Sequence, residues 1–116
     1  MASVQTPLCS ILHIDTPIVQ APIGLATNPV MTAAVSNAGG LGMLAFLRRD
    51  VDDVRRLISE THELTNRPFG ANFILRDLED TDDRLDACLE AGVSVVSFHW
   101  NEPYEFVGRI HNANTL

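Results

Sequence analysis

Three places in this chain carry groups that could hold a ligand or act on one. Asn72 lies inside the apolar run Gly70-Ala71-Asn72-Phe73-Ile74. A buried amide must find a partner. Its partner is either a ligand's ring nitrogen or carbonyl, or neighbouring backbone. His99 follows Val95-Val96-Ser97-Phe98 and precedes Trp100. An imidazole at the end of a strand can serve as a general base or an oxyanion donor, or as an ordinary hydrogen-bonded surface group. The third place is Ala21-Pro22-Ile23-Gly24, after Ile18-Val19-Gln20. Small residues at a strand's carboxyl end let a flat ligand lie against the backbone. Pro22 fixes the local path and removes one donor. A simple turn between strand and helix is the alternative reading.

Other tempting patterns carry less. Gly39-Gly40-Leu41-Gly42 looks like a phosphate loop but lacks the lysine and Ser/Thr of a P-loop, and it follows a helix and precedes a strand. It reads as a helix stop with close packing. Cys9 and Cys88 are the only cysteines and have no metal-type spacing. Cys88, between Leu85 and Leu89, reads as a small buried hydrophobe. The acidic stretch Asp77 to Asp86 reads as a solvated loop and helix start rather than a metal site. His13, His62 and His111 have no catalytic context. No paired carboxylates, nucleophile–base pair or metal cluster is recognisable by spacing.

The elements that would position these groups alternate. Ile18 to Ala21 reads as a short buried strand between prolines. Asn28 then caps a helix with Pro29 at its first position, and Val30, Met31, Ala34, Val35 and Ala38 follow at helical spacing. Gly39 and Gly40 stop it. Leu41 to Phe46 is a second strand. Asp50 caps a helix whose inward stripe is Val51, Val54, Leu57, Ile58 and Thr61. Gly70 to Ile74 is a third strand, and Thr81 caps a helix burying Leu85, Cys88 and Leu89. Val93 to Phe98 is a fourth strand, and Pro103 opens a last helix. Leu116 falls about where a fifth strand should start. Residues 1–16 form a lead-in whose Leu8, Ile11, Leu12 and Ile14 could plug one end of a core.

A β-α order repeated four times argues for parallel strands with right-handed crossovers. Half of an eight-unit barrel and a four-stranded open sheet fit the pattern equally well. The 116 residues suit one domain, and 46% hydrophobic residues suffice for a core. A net charge of −7 gives no electrostatic attraction to nucleic acid or to an anionic membrane surface. The first twenty residues lack a signal peptide's basic start and long apolar run, and no stretch is long enough to span a membrane, so a cytoplasmic setting is expected.

Four segments in register resemble the nitronate monooxygenase family, formerly called 2-nitropropane dioxygenases. They are Ala21-Pro22-Ile23, the run Ala33 through Gly42, Arg67-Pro68-Phe69-Gly70-Ala71-Asn72-Phe73, and Val95 through Trp100. The resemblance covers residues 17 to 112. It implies an α/β fold, a TIM-type (β/α)8 barrel of which residues 1–116 supply about the first four βα units, a half barrel. It also implies FMN as cofactor, with alkyl nitronates and molecular oxygen as substrates. On this match Ala21, Pro22 and Ile23 border the flavin ring, Asn72 hydrogen-bonds it, and His99 lines the mouth of the site.

Two positions depart from the family pattern: Asn101 stands where glycine is usual, and Ile23 where methionine is. The family's catalytic histidine and flavin-phosphate loops would fall after Leu116. The chain is therefore expected to be a fragment, inactive alone, with no catalytic residue of its own beyond His99 as a candidate. Reduction of enoyl thioesters, or of quinones by NADH, is the alternative chemistry within the family. A non-catalytic half barrel that self-associates through its open sheet edges is the alternative outside it.

Overall fold

The computed structural model describes residues 4–76 and 81–116 of the chain. Two of its helices begin where a side chain replaces the missing helical partners. The Asn28 side chain accepts from Met31 N at 3.0 Å and opens α2 (Pro29–Asn37). Asp50 accepts from Asp53 N at 2.8 Å and opens α3 (Val51–Leu64). Each such cap stabilises its helix by about 1 kcal/mol. Gly39, at φ +94°, turns the chain out of α2. A short α1 (Pro7–Leu12) precedes these helices; α4 (Thr81–Glu90) and α5 (Tyr104–Asn112) follow them. Thr81 is the first residue of α4, and Asp77 to Asp80, the loop part of the acidic stretch, lie outside the described residues. Farther along that stretch, Asp82 and Asp86 pair with Arg109.

Strands β1 (Gly42–Ala45), β2 (Phe69–Ile74) and β3 (Val95–His99) form a parallel sheet in the order β1-β2-β3. In its register Ala45 lies opposite Asn72, and Asn72 opposite Ser97. The expected first strand contracts to a single parallel bridge, Val19 to Leu41, so the sheet has three strands rather than four. The reason is chemical. Gln20 N donates to Leu41 O, and Leu41 N donates to Ile18 O. The next rung would need an N–H from residue 22 for Met43 O, and Pro22 has none. At the far edge Leu116 N donates to Ser94 O and Val96 N donates to Leu116 O, the bond pattern of a parallel neighbour. Neighbours across the sheet therefore follow chain order throughout.

Side chains alternate across each strand. One face sends Leu44, Phe46, Phe69, Ala71 and Phe73 into a core with Val54, Ile58, Leu85, Cys88, Phe106 and Ile110 from the helices. The Phe46 and Phe73 rings lie 5.3 Å apart within it. The opposite face carries Met43, which packs with Leu41, Cys9 and Ile14, so the lead-in covers the amino end of that face; of its four expected residues Ile14 is buried and Leu12 partly so, while Leu8 and Ile11 stay exposed and Cys9 takes their place. Both cysteines are free and buried.

Helix α2 docks through a largely polar face. Its buried residues are Pro29, Thr32, Ala33 and Ser36, while Val30 and Met31 are exposed. The buried hydroxyls satisfy strand backbone. Thr32 Oγ1 donates to Met43 O, and Ser36 Oγ accepts from Gly42 N and donates to Pro68 O. This close docking needs Gly42, because a Cβ there would lie 2.0 Å from Thr32 O.

Candidate functional site

The groups singled out in the sequence gather at one end of the sheet. All strands run the same way, so their carboxyl ends share a rim. Asn72 and Ser97 are register partners, and His99, two residues beyond Ser97, shares their face, away from the helical core. Ala21 to Ile23 leave the Val19–Leu41 bridge toward the same end. Among the described residues no hydrogen bond joins Ala21–Ile23 to Asn72 or His99. The structure thus puts Asn72 and His99 on one face of the sheet, and Ala21–Ile23 on the other side of β1 from them.

Asn72 is buried, at 8% exposure. Its Nδ2 donates to Ser97 O at 3.2 Å and Ser97 Oγ at 2.8 Å. A carbonyl oxygen only accepts, so the amide nitrogen must face Ser97, which leaves Oδ1 turned away. Oδ1 accepts from no described residue and keeps contact with solvent. Of the two partners anticipated for a buried amide, neighbouring backbone is the one present: the donor end is used by the Ser97 carbonyl and hydroxyl, and the acceptor end is open.

His99 is exposed and closes β3. Its carbonyl accepts from Leu75 N at 2.9 Å, and its ring meets Trp100 edge-on at 5.4 Å. Trp100 and Asn101 both take left-handed backbone, at φ 64° and 51°. Asparagine tolerates that region better than most residues. Asn101 Nδ2 donates to Leu75 O at 2.6 Å and ties this turn to the end of β2.

Sequence reasoning gave no role to Gln20, Ser97 or the Asn101 side chain. Gln20 is buried; its Nε2 donates to Met43 O at 3.2 Å and its Oε1 accepts from Met43 N at 3.4 Å. A glutamine two residues before a proline at the end of a strand is the signal that could have found it. For Ser97 the signal is a second polar residue inside an apolar strand. A cleft of about 760 Å³ lies elsewhere, between α2 and α3, where Val30, Met31 and Leu64 meet Glu60 and Glu63. Among the described residues no group of metal-ligating side chains assembles, and no helix is long and apolar enough to cross a membrane.

The family described as nitronate monooxygenase matches residues 5–116. The chain belongs to this family. The 5-hydroxy-7a-methyl-1-oxo-octahydro-1H-indene-4-carboxyl-CoA dehydrogenase of Mycobacterium tuberculosis is 32% identical over 112 residues, 97% of this chain and 31% of that protein. The nitronate monooxygenase of Paraburkholderia phytofirmans is 46% identical over 65 residues, 56% of this chain and 18% of that one. FabK from Thermotoga maritima superposes with a TM-score of 0.93 at 35% identity, covering 97% of this chain and 36% of that one. The chain spans about a third of the length of the relatives it matches end to end. Family members are oxidoreductases by name, a monooxygenase and a dehydrogenase among them.

Proposed function

We propose that these residues form the first four βα units of a TIM-type barrel, and that the whole protein binds FMN and oxidises alkyl nitronates with molecular oxygen. The barrel reading rests on strands that are parallel and neighbour one another in chain order, with Val19 at one edge and Leu116 at the other. Barrels place their sites at the carboxyl rim, where Ala21, Asn72 and His99 gather.

The residues at the rim fit a flavin. A flat heterocycle needs an uncrowded ledge and a few fixed polar atoms. Ala21 and Ile23 offer backbone N–H groups with no partner among the described residues, and Asn72 Oδ1 is an open acceptor on a buried side chain. Ala21, Pro22 and Ile23 would border the ring, Asn72 would hydrogen-bond it, and His99 would line the mouth. When bound, FMN supplies the electron transfer, while the protein supplies binding and orientation. The residues of this chain hold and orient; none of them takes the substrate proton in this reading. The observation that carries it is the half-satisfied Asn72 carboxamide at the rim of a family-matched parallel sheet.

A second reading keeps the flavin and changes the substrate to an acyl thioester. Its support is the dehydrogenase named for a CoA thioester, which matches 97% of the chain. The full-length protein decides between them. Oxygen uptake with a small alkyl nitronate supports the first reading. NADH oxidation with an enoyl thioester and no response to nitronate supports the second. Gel filtration with an absorbance scan completes the test, because a colourless self-associated species would reject both flavin readings.

A further inference from the structure

The geometry points to Gln20 as the positioning residue that holds Ala21–Ile23 off the sheet, as a ledge free to carry a ligand. The flavin half of this inference rests on the reading above; the backbone half does not. Between Ile18 and Leu41 the chain pairs as an ordinary parallel ladder. Continued by one rung, that ladder would join Met43 N to Gln20 O, and the N–H of residue 22 to Met43 O. Neither bond forms. The Gln20 carboxamide stands in for both, accepting from Met43 N and donating to Met43 O. Pro22 removes the competing donor, and Gln20 occupies the vacated rung. The side chain wedged between the two backbones keeps the segment from closing onto β1.

This arrangement explains how a buried polar side chain is tolerated here. Without Gln20 the Met43 N–H loses its partner, whereas Met43 O keeps the bond from Thr32 Oγ1. A buried backbone donor is seldom left unpaired. The segment should then move toward β1 to satisfy it, and the ledge would narrow.

The test uses the full-length protein with Gln20→Ala, Pro22→Ala and the double variant. Three quantities are read: bound FMN per chain, the FMN dissociation constant, and hydrogen exchange of peptides covering residues 19–24 and 41–46. In Gln20→Ala, exchange at 41–46 should rise and FMN affinity should fall roughly tenfold or more, the size of one lost buried bond. In the double variant residue 22 regains a donor and the ladder can extend. Protection at 19–24 and 41–46 should then return while FMN affinity stays low. A merely structural glutamine would show the opposite, with protection and affinity recovering together, and that result overturns the inference. Unchanged exchange in Gln20→Ala overturns it as well. If the wild-type protein retains no FMN, the flavin reading fails, and the exchange pattern alone decides whether Gln20 holds the segment off the sheet.

Discussion

Asn72 and Ser97 face each other across β2 and β3, and the amide nitrogen of Asn72 donates to both oxygen atoms of Ser97. The pair fixes which end of the carboxamide is available: a ligand arriving at the rim meets an acceptor, so it must bring a donor. Asn72→Ala removes that acceptor and should weaken FMN retention by roughly fivefold to thirtyfold, about 1–2 kcal/mol. Ser97→Ala leaves the backbone oxygen in place and should cost less. Dialysis followed by absorbance gives the FMN content. Unchanged content in Asn72→Ala would reduce Asn72 to a core residue.

The turn after β3 should discriminate sharply between substitutions at Asn101. Its backbone is left-handed, and its side chain binds Leu75 O. Asn101→Gly keeps the conformation and loses one half-buried bond, a cost of about 1 kcal/mol. Asn101→Val puts a β-branched residue where such residues are outliers and should cost about 1–3 kcal/mol. Thermal unfolding of both variants measures the gap. Equal losses would mean that the bond, and not the backbone, dominates.

Much of this fold was legible in the chain because its signals are local. Asn28 and Asp50 cap helices with their own side chains, and of the stripe Val51, Val54, Leu57, Ile58 and Thr61 all but the half-buried Val51 are buried as its spacing requires. The misreadings share one cause, which is backbone groups satisfied at a distance. The run Ile18 to Ala21 has a strand's composition, yet the pairing stops because Gln20 and Pro22 answer to Met43, more than twenty residues on. In α2 the apolar spacing marked Val30, Met31 and Ala34, while the face that docks is Thr32 and Ser36, because Gly42, Met43 and Pro68 need polar partners. At the site, Asn72 could be picked out as a buried amide, but its orientation depends on Ser97, 25 residues later.

Two glycine substitutions should move stability in opposite directions. Gly42→Ala places a Cβ against the Thr32 carbonyl, where neither helix nor strand can yield cheaply. A loss of about 2–3 kcal/mol or more is expected, at the upper end for overpacking. Gly108 lies within α5 with open space at its Cβ position. Gly108→Ala should therefore gain about 0.5–1 kcal/mol from helix propensity. Urea midpoints at constant m-value read both; a destabilising Gly108→Ala would show that α5 needs a glycine for a reason other than space.

Cys88 provides a pH-dependent prediction with a definite sign. The side chain lies in the core with Leu85 and Val54, and burial pushes its thiol from 9.0 up to about 12. The folded state therefore favours the protonated thiol more than the unfolded state does. The contribution is fully present below pH 9, falls as the unfolded thiol ionises, and is lost as pH rises through about 12. Wild-type stability should accordingly drop relative to Cys88→Ala between pH 8 and pH 10.5, about 1 kcal/mol for each unit above the unfolded thiol's own titration. Cavity loss in Cys88→Ala offsets the two curves by a constant and leaves their difference in slope untouched. Alkylation offers an independent check: at pH 8 the folded protein should leave Cys88 unmodified by iodoacetamide until denaturant exposes it. A pH-independent difference between the two proteins, together with rapid labelling of the folded chain, would falsify the buried-thiol account.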